Sequence, residues 1–92
     1  IEIPKTVTIG QLYPNPFNPE VSIPFTLPSE MHTKVVIYDV QGRQVETLLN
    51  EYNMTAGSHS LKWNAATFAS GIYFVRIETP IGSDVRKAYL IK

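Results

Sequence analysis

Apolar and polar side chains alternate through most of this chain, the period expected of strands with one buried face. Val21, Ile23, Phe25 and Leu27 alternate with Ser22, Pro24 and Thr26. Pro24 falls on the outward face and marks that strand as an edge strand or a bulged one, because proline donates nothing to a ladder. Upstream, Thr6-Val7-Thr8-Ile9 alternates and the apolar phase then slips to Leu12 after Gly10, which predicts a bulge or kink in an opening strand. The unbroken run Val35-Val36-Ile37-Tyr38 is short and β-branched, as in a central strand covered on both faces. Gln41-Gly42 separates it from residues 44–49 and reads as a hairpin turn, although Thr47-Leu48-Leu49 equally suits the start of a helical turn.

Residues 50–57 are polar and turn-rich. In residues 58–64, His59, Leu61 and Trp63 share one face, and residues 65–71 suit a helical turn. Residues 72–79 place Tyr73, Val75 and Ile77 inward with Arg76 and Glu78 outward. Pro80-Ile81-Gly82-Ser83 reads as a four-residue turn, and residues 85–91 as a closing strand. About seven short strands without an amphipathic helix predict an all-β antiparallel sandwich centred on Trp63.

Tyr13-Pro14-Asn15-Pro16-Phe17-Asn18-Pro19 interrupts the alternation. Each proline fixes φ and pushes its predecessor out of the α region, so the stretch is a stiff extended connector. It enters the strand at Val21 and carries no evident chemistry.

Composition narrows the class. A chain of 92 residues, 43% hydrophobic and 17% charged, is one globular domain. Eight basic residues balance eight acidic ones, so neither a nucleic acid nor an anionic membrane is an expected partner. With no cysteine, disulfides, thiol catalysis and thiolate metal sites are absent. No apolar run approaches the roughly 20 residues of a membrane span. The first residue is Ile1, which suggests a piece of a longer protein.

Candidate chemistry is sparse. His32 and His59 have no nucleophile elbow near them, and His59 on an inward face reads as a packing residue. Asp39, Glu46, Glu51 and Asp84 stand in separate elements without the spacing of paired catalytic acids or a calcium loop. Gly42, Gly57, Gly71 and Gly82 fall at strand junctions, where they serve backbone geometry. Asn53-Met54-Thr55 matches the glycosylation triplet, a common chance match. Phe17, Tyr52 and Phe68 lie in apparent loops and offer one alternative, an aromatic platform for sugars, against the plainer reading of core packing. The residues point to a domain without catalytic, cofactor or metal sites.

Four stretches in order, together with the chain's end, resemble the C-terminal sorting domain of the type IX secretion system, found in Bacteroidetes and related bacteria. They are residues 12–19, the hairpin at residues 36–45 with its Tyr38-Asp39-Val40-Gln41-Gly42-Arg43 core, residues 56–64 around Trp63, and residues 70–77. The ending Lys87-Ala88-Tyr89-Leu90-Ile91-Lys92 also fits. The resemblance implies an immunoglobulin-like sandwich of about seven strands over residues 11–92, with residues 1–10 a linker, cut site or first strand. It implies a non-catalytic secretion signal carried behind an upstream cargo domain in the same parent chain. Its implied partners are the type IX translocon and a sortase-like peptidase that removes the domain. The implied location is the outer membrane surface or the extracellular space.

The same Pro-Phe-Asn-Pro and Tyr-Asp-x-x-Gly-Arg patterns occur in the immunoglobulin-like domain of flagellar hook-capping proteins. A hook-type structural domain is therefore a competing reading, and a carbohydrate-binding accessory module of a secreted hydrolase is a third. Recognition residues expected on the sorting reading are Pro14, Asn15, Pro16, Gly42, Arg43, Lys87, Leu90, Ile91 and Lys92. The last strand, at a sheet edge, is the expected site of strand addition by a reader, with Lys87 and Lys92 steering it. Tyr13 and Phe17 are expected to pack at one end of the sandwich, and Asn15 to matter more for recognition than for stability.

Overall fold

The alternating stretches pair into seven strands in the computed structural model, which describes residues 7–92. They are β1 (Thr8–Ile9), β2 (Glu20–Leu27), β3 (Met31–Tyr38), β4 (Gln44–Met54), β5 (Gly57–Asn64), β6 (Gly71–Thr79) and β7 (Gly82–Leu90). Thr6 and the possible linker or cut site within residues 1–6 lie outside the described residues. One sheet has the order β1-β2-β5 and the other β4-β3-β6-β7, with every pairing antiparallel. The constant-type immunoglobulin arrangement pairs the fourth strand in the first sheet; here β4 hydrogen-bonds to β3 instead.

The inward set of β2, Val21, Ile23, Phe25 and Leu27, is fully buried, as its alternation requires. It faces Val35, Ile37, Tyr73, Val75, Ile77, Ala88 and Leu90 from the other sheet. Trp63 sits among three aromatic rings, with centroids 5.6 Å from Phe17, 5.6 Å from Phe68 and 5.4 Å from Tyr73. The Tyr73 hydroxyl leaves this cluster to donate to the Ala69 carbonyl at 2.6 Å.

Pro24 does not put β2 at an edge: β2 is the middle strand of its sheet. A strand residue directs its N–H and C=O to the same side, and the Pro24 carbonyl accepts from Gly10 N at 2.8 Å. The missing N–H therefore faces the place where β1 has already ended. A Cβ on Gly10 would lie 3.1 Å from the Pro24 ring, so glycine lets the chain pass close above it.

Residues 50–54 are strand rather than turn, because β4 runs to Met54 against the full length of β3. Their polarity reflects an edge position, and three register shifts along the pair let β4 twist away from a regular ladder. Thr47-Leu48-Leu49 is likewise strand. Residues 65–70 form no helix. Asn64 Oδ1 accepts from Ala66 N at 2.9 Å and Ala65 O from Phe68 N at 3.0 Å, a turn that returns Phe68 to the core. The turn before β7 is tighter than expected, with Thr79 paired to Gly82 around Pro80 and Ile81.

Candidate functional site

The proline connector becomes a strap across one side of the sandwich. Tyr13 pairs with Ser22 of β2, and Phe17 pairs in parallel with Leu90 of β7. Between them Asn15 Nδ2 donates to Lys87 O at 3.1 Å, while Asn15 Oδ1 accepts from Tyr89 N at 2.9 Å. Phe17 N donates to Tyr89 O at 2.9 Å, and Phe17 O accepts from Ile91 N at 3.0 Å. The bonds preceding Pro14, Pro16 and Pro19 are cis. Phe17 is buried against Trp63 as expected, whereas Tyr13 stays outside at 56% exposure and does not pack at the end of the sandwich.

This strap corrects the picture of β7. The strand is at a sheet edge, but its outward backbone groups from the Lys87 carbonyl to the Ile91 N–H already have partners. An asparagine amide presents the same donor and acceptor as a peptide unit, so one side chain substitutes for a strand residue. Asn15 is thus turned onto β7 and holds the fold there. Leu90, at 2% exposure, is a core residue that no partner can touch in the folded domain.

The same side is laced a second time from the inner face of β7. Asp84 Oδ2 accepts from Ile9 N at 3.0 Å, and Arg86 Nε and Nη2 donate to Ile9 O at 3.1 and 2.9 Å. Asp84 and Arg86 therefore satisfy the backbone of the short strand β1. Sequence pattern alone singles out neither one as a lacing residue, since only folding brings position 9 beside positions 84 and 86.

Gly42 and Arg43 belong to the β3–β4 turn. Asp39 Oδ1 accepts from Gln41 N at 2.9 Å and Arg43 N at 3.0 Å, and Asp39 Oδ2 accepts from Arg43 Nε at 3.0 Å. Gly42, at φ 81°, supplies the left-handed residue that lets this turn close. The Arg43 backbone N–H, followed by its side chain, Gln41 N and the guanidinium charge, holds the Asp39 carboxyl below the usual range, against an opposing desolvation effect. The Tyr-Asp-x-x-Gly-Arg pattern is thereby explained as turn construction.

The remaining expected contacts are exposed. Pro14, Pro16, Lys87, Ile91 and Lys92 all face solvent. Lys92 is anchored nonetheless: its N–H donates to Ser70 Oγ at 3.0 Å and its ammonium to the Ala66 carbonyl. Lys87 stands on the outer face of the four-stranded sheet, opposite Phe74.

The histidines have local roles. His32 stacks on Tyr52 and bonds Asn50 at 2.7 Å, and half-buried His59 stacks on Phe25 and bonds the Thr55 carbonyl at 2.8 Å. Among the described residues no group of three His, Asp or Glu side chains gathers as metal ligands. Of the three aromatics considered for sugar stacking, Phe17 is buried and Phe68 packs against the core, leaving Tyr52 exposed on its own strand.

Residues 11–92 match the family model described as the secretion system C-terminal sorting domain. The chain belongs to this family. The match begins just after the Gly10–Pro24 contact and takes in the strap and β2 to β7. Members serve as secretion signals and are in general non-catalytic. No curated protein matches the chain. Among solved structures it is similar to dimeric latent PorU from Porphyromonas gingivalis, at 22% identity and a TM-score of 0.72. The alignment covers 96% of this chain but 9% of that one, so the likeness is one of domain fold.

Proposed function

We propose that this chain directs an upstream cargo domain of the same parent protein across the outer membrane through the type IX translocon. A sortase-like peptidase then removes the domain, and the cargo is coupled to the cell surface. The domain itself performs no chemistry; it is read as a folded object. The observation that carries this reading is the family match over residues 11–92, which spans the strap and six of the seven strands rather than a tail. The geometry supports a reader that meets a face more than the edge of β7, since Asn15 and Phe17 occupy that edge. Exposed Lys87, Ile91 and Lys92, with Pro14 and Pro16 beside them, are the proposed contacts.

Fusing residues 1–92 behind a fluorescent reporter in a type IX-competent host tests the reading. The reporter is expected at the cell surface or in the medium, separated from the domain. Removal of Ile91 and Lys92 is expected to strand it in the periplasm while leaving the sandwich folded. Periplasmic retention of the intact fusion in such a host would overturn the sorting role.

A further inference from the structure

The outer face of the four-stranded sheet carries apolar side chains that no element among the described residues covers. Tyr38, Val40, Phe74 and Val85 line a groove of about 350 Å³ there, closed at one end by the Asp39–Gly42 turn and floored by Arg76. Val40 is 66% exposed and Val85 46%. Apolar surface of this kind with a polar rim marks contact sites.

Arg76 gives the groove its chemistry. Its Nε is buried and makes no hydrogen bond among the described residues. The Glu78 carboxylate forms an ion pair with it at 3.6 Å, too long for a hydrogen bond, and also stands opposite Lys34 on the neighbouring strand. Asp39, the one carboxylate on the rim, has both oxygens engaged by Gln41 and Arg43. The Arg76 side chain as a whole is 43% exposed, and a guanidinium reached from an apolar groove favours a carboxylate, which it binds by charge-assisted hydrogen bonds.

The geometry points to a docking site for an extended protein segment that presents one carboxylate between apolar side chains. The carboxylate meets Arg76, and its neighbours cover Val40, Phe74 and Val85. The walls, two aromatic rings and two valines, suit the apolar side chains of a peptide better than a sugar acid, whose hydroxyls would find few partners there. That the segment belongs to the secretion machinery rests on the sorting reading; the chemistry of the groove does not.

Titrating the ¹⁵N-labelled 92-residue chain with acetyl-Leu-Glu-Phe-amide and with its Gln counterpart tests the site. The Glu peptide is expected to shift the Val40, Gly42 and Val85 amides in a saturable way, and the Gln peptide to bind roughly tenfold more weakly, as loss of a charged hydrogen bond implies. Val85 lies directly opposite Arg76, so Val85→Glu supplies an internal carboxylate and is expected to abolish binding, while Val85→Thr retains it. Arg76→Gln should erase the preference for Glu. Equal binding of both peptides, no binding, or shifts confined to the free edge of β5 would overturn the proposal. So would glucuronate shifting these amides where the peptide does not, or the same shifts arising from self-association on concentrating the chain. None of these results touches the reporter-export experiment, so the groove can fail while the sorting reading stands.

Discussion

Asn15 replaces a strand residue with a side chain. Its amide completes the β7 ladder at Lys87 and Tyr89, next to a strap whose prolines lack N–H groups of their own. Asn15→Ala removes two exposed hydrogen bonds and is expected to lower stability by about 1–2 kcal/mol, measured by urea denaturation. Asp39 is the other residue whose side chain builds backbone geometry. Because its folded pKa is depressed, the turn's contribution is fully present above the unfolded value, near 3.8, and is lost as pH falls through the lower folded value. Asp39→Asn is therefore expected to lower stability at neutral pH and to flatten the acid side of the stability profile, read from urea melts at several pH values. The sequence shows Asp39 and Gly42 as turn residues. It cannot show that Asn15 points at β7, because 72 positions separate it from Lys87.

The elements were legible where alternation was strong. β2 and β6 follow their alternating apolar positions, since a period of two has only one way to bury a face, and β3 follows its unbroken apolar run. β7 instead turns Asp84 and Arg86 inward and leaves Val85 and Tyr89 exposed. Reading failed at the edges of this logic. The polarity of residues 50–54 suggests a turn, yet an edge strand exposes most of its side chains and still pairs on one side. Pro24 suggests an edge strand, yet the neighbouring strand ends where its missing N–H would be needed. At the far edge, β4 carries Glu46, which stands opposite Ile37 and buries Oε2 without a partner among the described residues. An inward charge on an edge strand opposes pairing with another chain. The strap's buried side chain is Phe17, wedged against Trp63. Phe17→Ala is expected to cost about 3–5 kcal/mol and to lower the melting temperature markedly in a thermal scan followed by circular dichroism. An unchanged melting temperature would mean that the strap is not held by this ring.

For the molecule as a whole, strap and lacing tie the two sheets into one unit. The chain crosses from Tyr13 on β2 to Phe17 on β7, while Asp84 and Arg86 cross back to Ile9. Unfolding followed by Trp63 fluorescence and by backbone circular dichroism is accordingly expected to give coincident transitions. Separate midpoints would show that the sheets come apart independently. The sequence by itself determined the all-β class, most strands, the central tryptophan and the motifs that place the chain in its family, because these depend on local period and turn chemistry. Only the tertiary structure decided which sheet receives β4, that the edge of β7 is closed, that Leu90 is core, and that Arg76 floors an apolar groove. Each of these depends on residues far apart in the chain, whose meeting is set by packing rather than by any local pattern.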